Sequence, residues 1–293
     1  MAETKSDEGF FTARDGLRLF WQTARPAAPA VAHVALIHGY AEHLGRYSEV
    51  TSALTKAGYA VHKVDVRGHG QSAGQRAHVV KFDDYLSDLE LFLARVREEA
   101  AGKPVFILGH SHGALIAARY LLDKPNAVRG AILASPYFRL KLAVSPLKIW
   151  MGKLVAKVFP TLPMKNELDP AQLCRDPEIQ KATAADPLYL KFATPGWFIQ
   201  SSAAQDALLR RASEFTTPFL CIHGAADPVA DPAASKEISD GATAKDKTFK
   251  VYDGLLHELF HEPEREDIFV DVIAWLDERR ASAGVPAASG ARA

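Results

Sequence analysis

Cysteine is nearly absent: the 293-residue chain carries two, Cys174 and Cys221, far apart, with Cys221 inside an apolar run. A disulfide framework is thereby excluded, and a buried thiol at Cys221 and a reducing compartment, the cytoplasm, are expected. Net charge is absent as well, since Lys plus Arg and Asp plus Glu both number 35. A balanced chain has no global field to gather nucleic acid, so no nucleic-acid partner is expected. Long hydrophobic runs are missing too, and nothing approaches the roughly 20 apolar residues of a membrane helix. The opening MAETKSDEGF has acids where a secretory leader has an apolar stretch. What remains is ordinary globular composition, 48% hydrophobic and 24% charged, in a chain long enough to bury a sizeable core.

The most informative stretch is KPVFILGHSHGALIAARYLL, residues 103–122. Val105, Phe106, Ile107 and Leu108 form a run too short for a helix and rich in strand formers. After Gly109-His110-Ser111-His112-Gly113, the residues Leu115, Ile116, Arg119 and Leu122 recur at helical spacing. A bare Gly-x-Ser-x-Gly is weak evidence, but strand before and helix after are the context of a nucleophile elbow. There the serine sits on a strained turn at a helix N-terminus, and the glycines let strand and helix pass closely.

Other elements follow in order. FFTARDGLRLFW, residues 10–21, reads as a hairpin on a two-residue Asp15-Gly16 turn. Strands are expected over His33–Ile37, Tyr59–Val64, Gly130–Ala134, Phe219–His223 and Thr248–Tyr252. Helices are expected to stop at Gly58, to run from Phe82 to Ala100 with Gly102 as the stop, and to include Phe269–Leu276. This alternation predicts an α/β class, a mostly parallel sheet with helices on both faces and sites at the strands' carboxyl ends. The α/β rhythm breaks over residues 136–216, which read as an inserted helical cap between core segments 1–135 and 217–280, with 281–293 a disordered tail. Ser145-Pro146 opens a cap helix whose apolar stripe is Leu147, Trp150, Met151, Leu154 and Val158, and a second runs from Trp197 to Glu214. Arg139, Lys141, Lys148, Lys153, Lys157 and Lys165 make this region basic, either a solvated lysine face or one that meets a lipid surface.

A serine nucleophile needs a base and an orienting acid. Asp227 follows the strand 219–223 and His257 the strand 248–252, so Ser111, Asp227 and His257 occur in the order of this fold and at one sheet edge. Asp231 and Asp253 are rivals for the acid, and His261 for the base. The backbone N–H groups of Tyr40 and His112 are the expected oxyanion donors.

Together with these, His38-Gly39-Tyr40-Ala41-Glu42-His43, Arg46-Tyr47, Asp65-x-Arg67-Gly68-His69-Gly70-x-Ser72, Arg175-Asp176-Pro177, Asp186-Pro187-Leu188 and His257-Glu258 cover residues 10–280. In these motifs the chain resembles the monoacylglycerol lipase and lysophospholipase branch of the α/β-hydrolases, a serine aminopeptidase-like family. The resemblance implies an eight-stranded sheet, a helical cap admitting an acyl chain, the triad Ser111, Asp227 and His257, and no cofactor. It implies an acyl ester as the small-molecule substrate, monoacylglycerols or lysophospholipids first, with amide and thioester cleavage as alternatives on the same machinery. Tyr137, Trp150, Leu154 and Trp197 are the cap residues expected to meet it. The chain departs from the family's commonest pattern at His112, where Met is usual, and at Ala114, where Gly is. An imidazole at 112 would narrow the acyl pocket or add a titrating group.

Two other classes compete. His257-Glu258-Leu259-Phe260-His261 spells HExxH, a zinc-peptidase motif when it lies on a helix, but Gly254 and Pro263 leave little room for one. A non-enzymatic binder on the same scaffold would be expected to lack a triad member. His38, His69 and Arg67 are expected to brace their own loops, and His33, His62 and His78 belong to no constellation.

Overall fold

The inner strands are buried along their whole length, and their side chains alternate between two apolar clusters, one on each face of a single sheet. In the computed structural model, residues 5–141, 155–166 and 168–281 are described. The sheet is formed by β1 (Lys5–Thr12), β2 (Arg18–Arg25), β3 (Ala32–Ile37), β4 (Tyr59–Val64), β5 (Val105–His110), β6 (Gly130–Ala134), β7 (Phe219–Gly224) and β8 (Lys247–Tyr252). Its spatial order is β1-β2-β4-β3-β5-β6-β7-β8, antiparallel at β1–β2 and β2–β4 and parallel beyond. Phe106 and Leu108 of β5 face one apolar cluster with α1 (Ser48–Lys56) and α7 (Arg265–Arg280). Val105 and Ile107 face the other, with α2 (Phe82–Ala100), α3 (His112–Asp123) and α6 (Pro232–Gly241).

The opening hairpin differs from expectation. Ala13 N–H donates to Leu17 O at 2.8 Å, which leaves three loop residues, not two, with Gly16 at φ +87°. A left-handed glycine in third place keeps the strands' twist, which a side chain there would oppose. The stop of α2 also comes one residue early: Ala101 takes the left-handed position at φ 49°, and Gly102 follows at φ +89°.

Between β6 and β7 the chain leaves the sheet. It contributes α4 (Pro177–Ala185), capped by Asp176, and α5 (Pro195–Arg210), capped by Thr194. The helix α4 was not expected, and the expected Trp197–Glu214 helix starts at Pro195 and ends at Arg210, before a separate turn at Ala212–Glu214. In both, Asp or Thr followed by Pro accounts for the start, since proline's missing N–H costs nothing at a first helical position. Of the cap helix expected from Ser145, only residues 155–158 are described and are helical; Trp150, Leu154, Lys148 and Lys153 lie outside the described residues, as do 282–293 of the tail. Among the described residues no helix is long and apolar enough to cross a membrane.

Candidate active site

Ser111 directly follows β5, at φ 51° and ψ −115°, a left-handed conformation costly for a residue with a side chain. It is held there by its N–H to Ala134 O at 2.9 Å and by Tyr137 N–H to Ser111 O at 3.0 Å. A Cβ on Gly109 would lie 2.7 Å from Ala114 Cα, and one on Gly113 would run into the carbonyls of Ile37 and His38. Both glycines are thus required by the close approach of β5, α3 and the end of β3.

The loops after β7 and β8 bring Asp227 and His257 to the same rim. Ser111 Oγ lies 2.9 Å from His257 Nε2, and His257 Nδ1 lies 2.7 Å from Asp227 Oδ2. A carboxylate only accepts, so Nδ1 carries the proton and Nε2 is free to take that of the serine. All three side chains are buried. Burial alone would raise the Asp227 pKa, but the His257 charge and the hydrogen bonds from His223 and His257 outweigh it and hold the carboxyl well below the usual range. Burial likewise opposes a charged His257, yet Asp227 wins and raises its pKa above the ordinary 6.5. Of the rivals, Asp231 caps α6 through Ala233 N–H at 3.0 Å and meets Arg139 at 3.3 Å, and Asp253 is exposed.

One residue at this site was missed. His223 Nε2 lies 3.0 Å from the same Asp227 Oδ2. Its position four residues before the acid, at a strand end, was the available signal.

The amide of His112 opens α3, where helix geometry provides no acceptor within the helix. The turn bearing Tyr40 passes beside the nucleophile, since a Cβ on Gly39 would sit 3.1 Å from Ser111 Cβ. That turn is pinned by Glu42, whose Oε1 accepts from Gly39 N–H at 2.5 Å and from Tyr47 O–H at 2.5 Å. Arg46 joins Glu42 at 3.0 Å to Glu258, both of whose oxygens it meets at 2.7 Å, and to Thr183 of α4 at 2.8 Å. One buried guanidinium therefore links the Tyr40 turn, the residue after His257 and the cap.

The ring of His112 neither opens onto a titrating site nor stands alone. Its Nε2 lies 3.1 Å from Ser201 Oγ on α5, with the rings of Tyr85 and Trp197 at 5.1 and 5.3 Å. Burial pushes its pKa down to about 3, so it stays neutral at physiological pH and ties α3 to the cap. Trp197 stacks on Tyr40 with centroids 3.9 Å apart and on Tyr137 at 6.1 Å, so Tyr40, His112, Tyr137 and Trp197 form one aromatic wall beside Ser111.

The zinc-peptidase geometry is not formed. Only Leu259–His261 is helical, as a single tight turn, and His261 is engaged by Glu258 at 3.1 Å and by the Arg46 carbonyl at 2.9 Å. Glu258, the would-be base, is paired with Arg46. Two expectations need correction. Arg67 does more than brace its turn: it pairs with Asp88 of α2 at 2.6 and 2.7 Å and with Asp15 of the first hairpin at 2.8 Å. His33 and His62 do form a constellation, with His33 Nδ1 2.9 Å from His62 Nε2, Thr23 Oγ1 3.0 Å from His62 Nδ1, and Glu99 at 4.0 Å. The diagonal relation of β3 to β4 creates it, and nothing within either strand's sequence announces it. His33, His62 and Glu99 bring ligand-type atoms within 4.8 Å of one another, but Arg25 occupies both Glu99 oxygens, at 2.7 and 3.0 Å. A cation there would have to displace a guanidinium.

Comparison with known proteins agrees with this geometry. The family model described as serine aminopeptidase, S33, matches residues 28–264. A monoacylglycerol lipase of Mycolicibacterium smegmatis is 31% identical over 277 residues, 94% of this chain and 99% of its own length. Phospholipase YtpA of Bacillus subtilis is 28% identical over 260 residues, 88% of this chain and 98% of its own. The crystal structure of Paleococcus ferrophilus monoacylglycerol lipase superposes with a TM-score of 0.78 at 26% identity, covering 94% of this chain and 99% of that one. With Ser111, His257 and Asp227 in hydrogen-bonded sequence on an eight-stranded α/β sheet, the chain belongs to the serine aminopeptidase (S33) family of α/β-hydrolases, the family that includes the monoacylglycerol lipases.

Proposed function

We propose that the protein hydrolyses monoacylglycerol- or lysophospholipid-like carboxylic esters through an acyl-enzyme. The observation that carries this is the continuous chain from Ser111 Oγ through His257 to Asp227 beside an aromatic wall. Ser111 attacks the acyl carbon as His257 Nε2 takes its proton, and the Tyr40 and His112 amides receive the developing oxyanion. His257 then returns the proton to the departing alcohol. Water, deprotonated by the same imidazole, releases the fatty acid. The apolar wall suits an acyl chain, and similarity to a monoacylglycerol lipase and a phospholipase supports a lipid ester.

The cap edge supports a further reading, contact with a lipid surface. Val158, Phe159, Leu162 and Met164 are 69%, 61%, 46% and 48% exposed, and the exposed Lys157 and Lys165 flank them. Apolar side chains edged by lysine suit an anionic bilayer. The same reading keeps the protein in the cytoplasm, where its two buried free cysteines remain reduced.

One experiment tests substrate and surface together: turnover of p-nitrophenyl esters of increasing chain length, monoacylglycerol in anionic vesicles, and an amide control. Long-chain and vesicle esters should be turned over with the amide inert, and a Lys157→Glu, Lys165→Glu variant should lose only the vesicle activity. Faster cleavage of the amide would contradict the ester assignment, and equal loss on soluble ester would contradict surface contact.

A further inference from the structure

We propose that His223 is a positioning residue for the triad, which fixes the Asp227 carboxylate and moderates its pull on His257. The inference rests on the hydrolase reading above and deepens it. Asp227 Oδ1 accepts from the N–H groups of Val229 and Ala230 at 2.7 and 3.0 Å, and Oδ2 from His257 at 2.7 Å and His223 at 3.0 Å. Four donors fill the acceptor sites of a side chain with no exposed surface. The carboxylate cannot donate, so His223 Nε2 bears the proton. Ser235 Oγ of α6, 2.8 Å from Nδ1, donates to the other nitrogen and holds that tautomer.

The consequence is a division of charge. Oδ2 is shared between two imidazoles, so each feels part of its field. Among the described residues, the other charged or titratable groups around the pair are Lys141, whose Nζ meets the Asp227 carbonyl at 2.8 Å, Cys221, whose thiol meets Ser235 and whose pKa burial pushes up to about 12, and, on the His257 side, His110 with its ring at 4.9 Å, Glu258 and Glu42. None of them reaches Oδ2. Without the His223 N–H, the carboxylate would bind the His257 proton more tightly and turn more freely about its own side-chain bond. The first effect moves the acid limb of the pH profile upward, and the second lowers turnover.

The test compares wild type with His223→Ala, His223→Gln and Ser235→Ala, using p-nitrophenyl butyrate across pH, with active sites counted by fluorophosphonate titration. His223→Ala should lose about tenfold in kcat with KM unchanged, as loss of an orienting partner does elsewhere. Its acid limb should rise by roughly half a pH unit. Gln keeps an N–H at similar reach and should restore both, and Ser235→Ala should shift the limb the same way by less. A fully titrating Ala variant with the wild-type limb and kcat overturns the role. So does a loss confined to the titratable fraction, which marks a scaffold residue only. If the Ala variant does not fold, an unshifted limb in Ser235→Ala overturns it instead. A wild type that fluorophosphonate does not titrate would overturn the hydrolase reading itself.

Discussion

Two buried histidine pairs on one sheet have opposite fates. His33 and His62, on β3 and β4, lie against each other with Glu99 nearby, and His223 and His257 flank Asp227 at the strands' carboxyl ends. Burial is comparable, since His62 and His257 are 1% and 5% exposed. Burial prevails at His62 and pushes its pKa down to about 3, whereas at His257 it is outweighed and the pKa rises above 6.5. The difference lies in the carboxylates. Glu99 still draws the His62 pKa upward, but from 4.0 Å and with both oxygens bound by Arg25 it does not outweigh burial, to which the charges of His33 and Arg25 add. Asp227 is held by N–H donors of amides and imidazoles, so its charge remains available to the proton on His257. A carboxylate overcomes the burial of a histidine when it is in hydrogen-bond contact with the ring and is not shared with a guanidinium.

The largest test of this contrast is to neutralise the available carboxylate. Asp227→Asn should lower kcat about ten-thousandfold, because an amide presents the wrong partner to Nδ1–H and cannot stabilise the imidazolium. Steady-state kinetics on protein of unchanged Tm checks it. A smaller effect should come from freeing the other carboxylate. Arg25→Met should raise the His62 pKa from about 3 toward its ordinary value, read by NMR titration of the ring protons, with turnover unaltered. The same variant should alter acid stability. The unfolded chain protonates His62 near 6.5 and the folded one near 3, so stability is present above 6.5 and is lost as pH falls between those values. With the folded pKa raised, that window narrows, and the Tm of Arg25→Met should fall less steeply below pH 6.5 than that of wild type.

The triad was legible because each member follows a strand, Ser111 directly after β5 and Asp227 and His257 in the loops after β7 and β8. Ser111, Asp227 and His257 needed only the order of strands and the rule that such ends share a rim. His223 shows where that stops. It stands at the end of its strand, but its role depends on its ring reaching back to Asp227, a matter of rotamer and loop path. The His33–His62 pair and the Arg46 link from Glu42 to Glu258 depend on register between strands and on residues 212 positions apart. Local patterning carries no trace of either. Within the cap, α4 was hidden because Pro177–Ala185 buries little apart from Thr183 and so lacks an apolar stripe. Its Asp-Pro start was the only sign.

The most direct measurement is the rate at which a fluorophosphonate labels Ser111 as a function of pH, with the modified residue located by peptide mapping. The account predicts labelling of Ser111 alone, with a single-proton acid limb above pH 6.5, because His257 must be neutral to take the serine proton and Asp227 raises its pKa. Labelling at another residue, or a limb below 6.5, would contradict it.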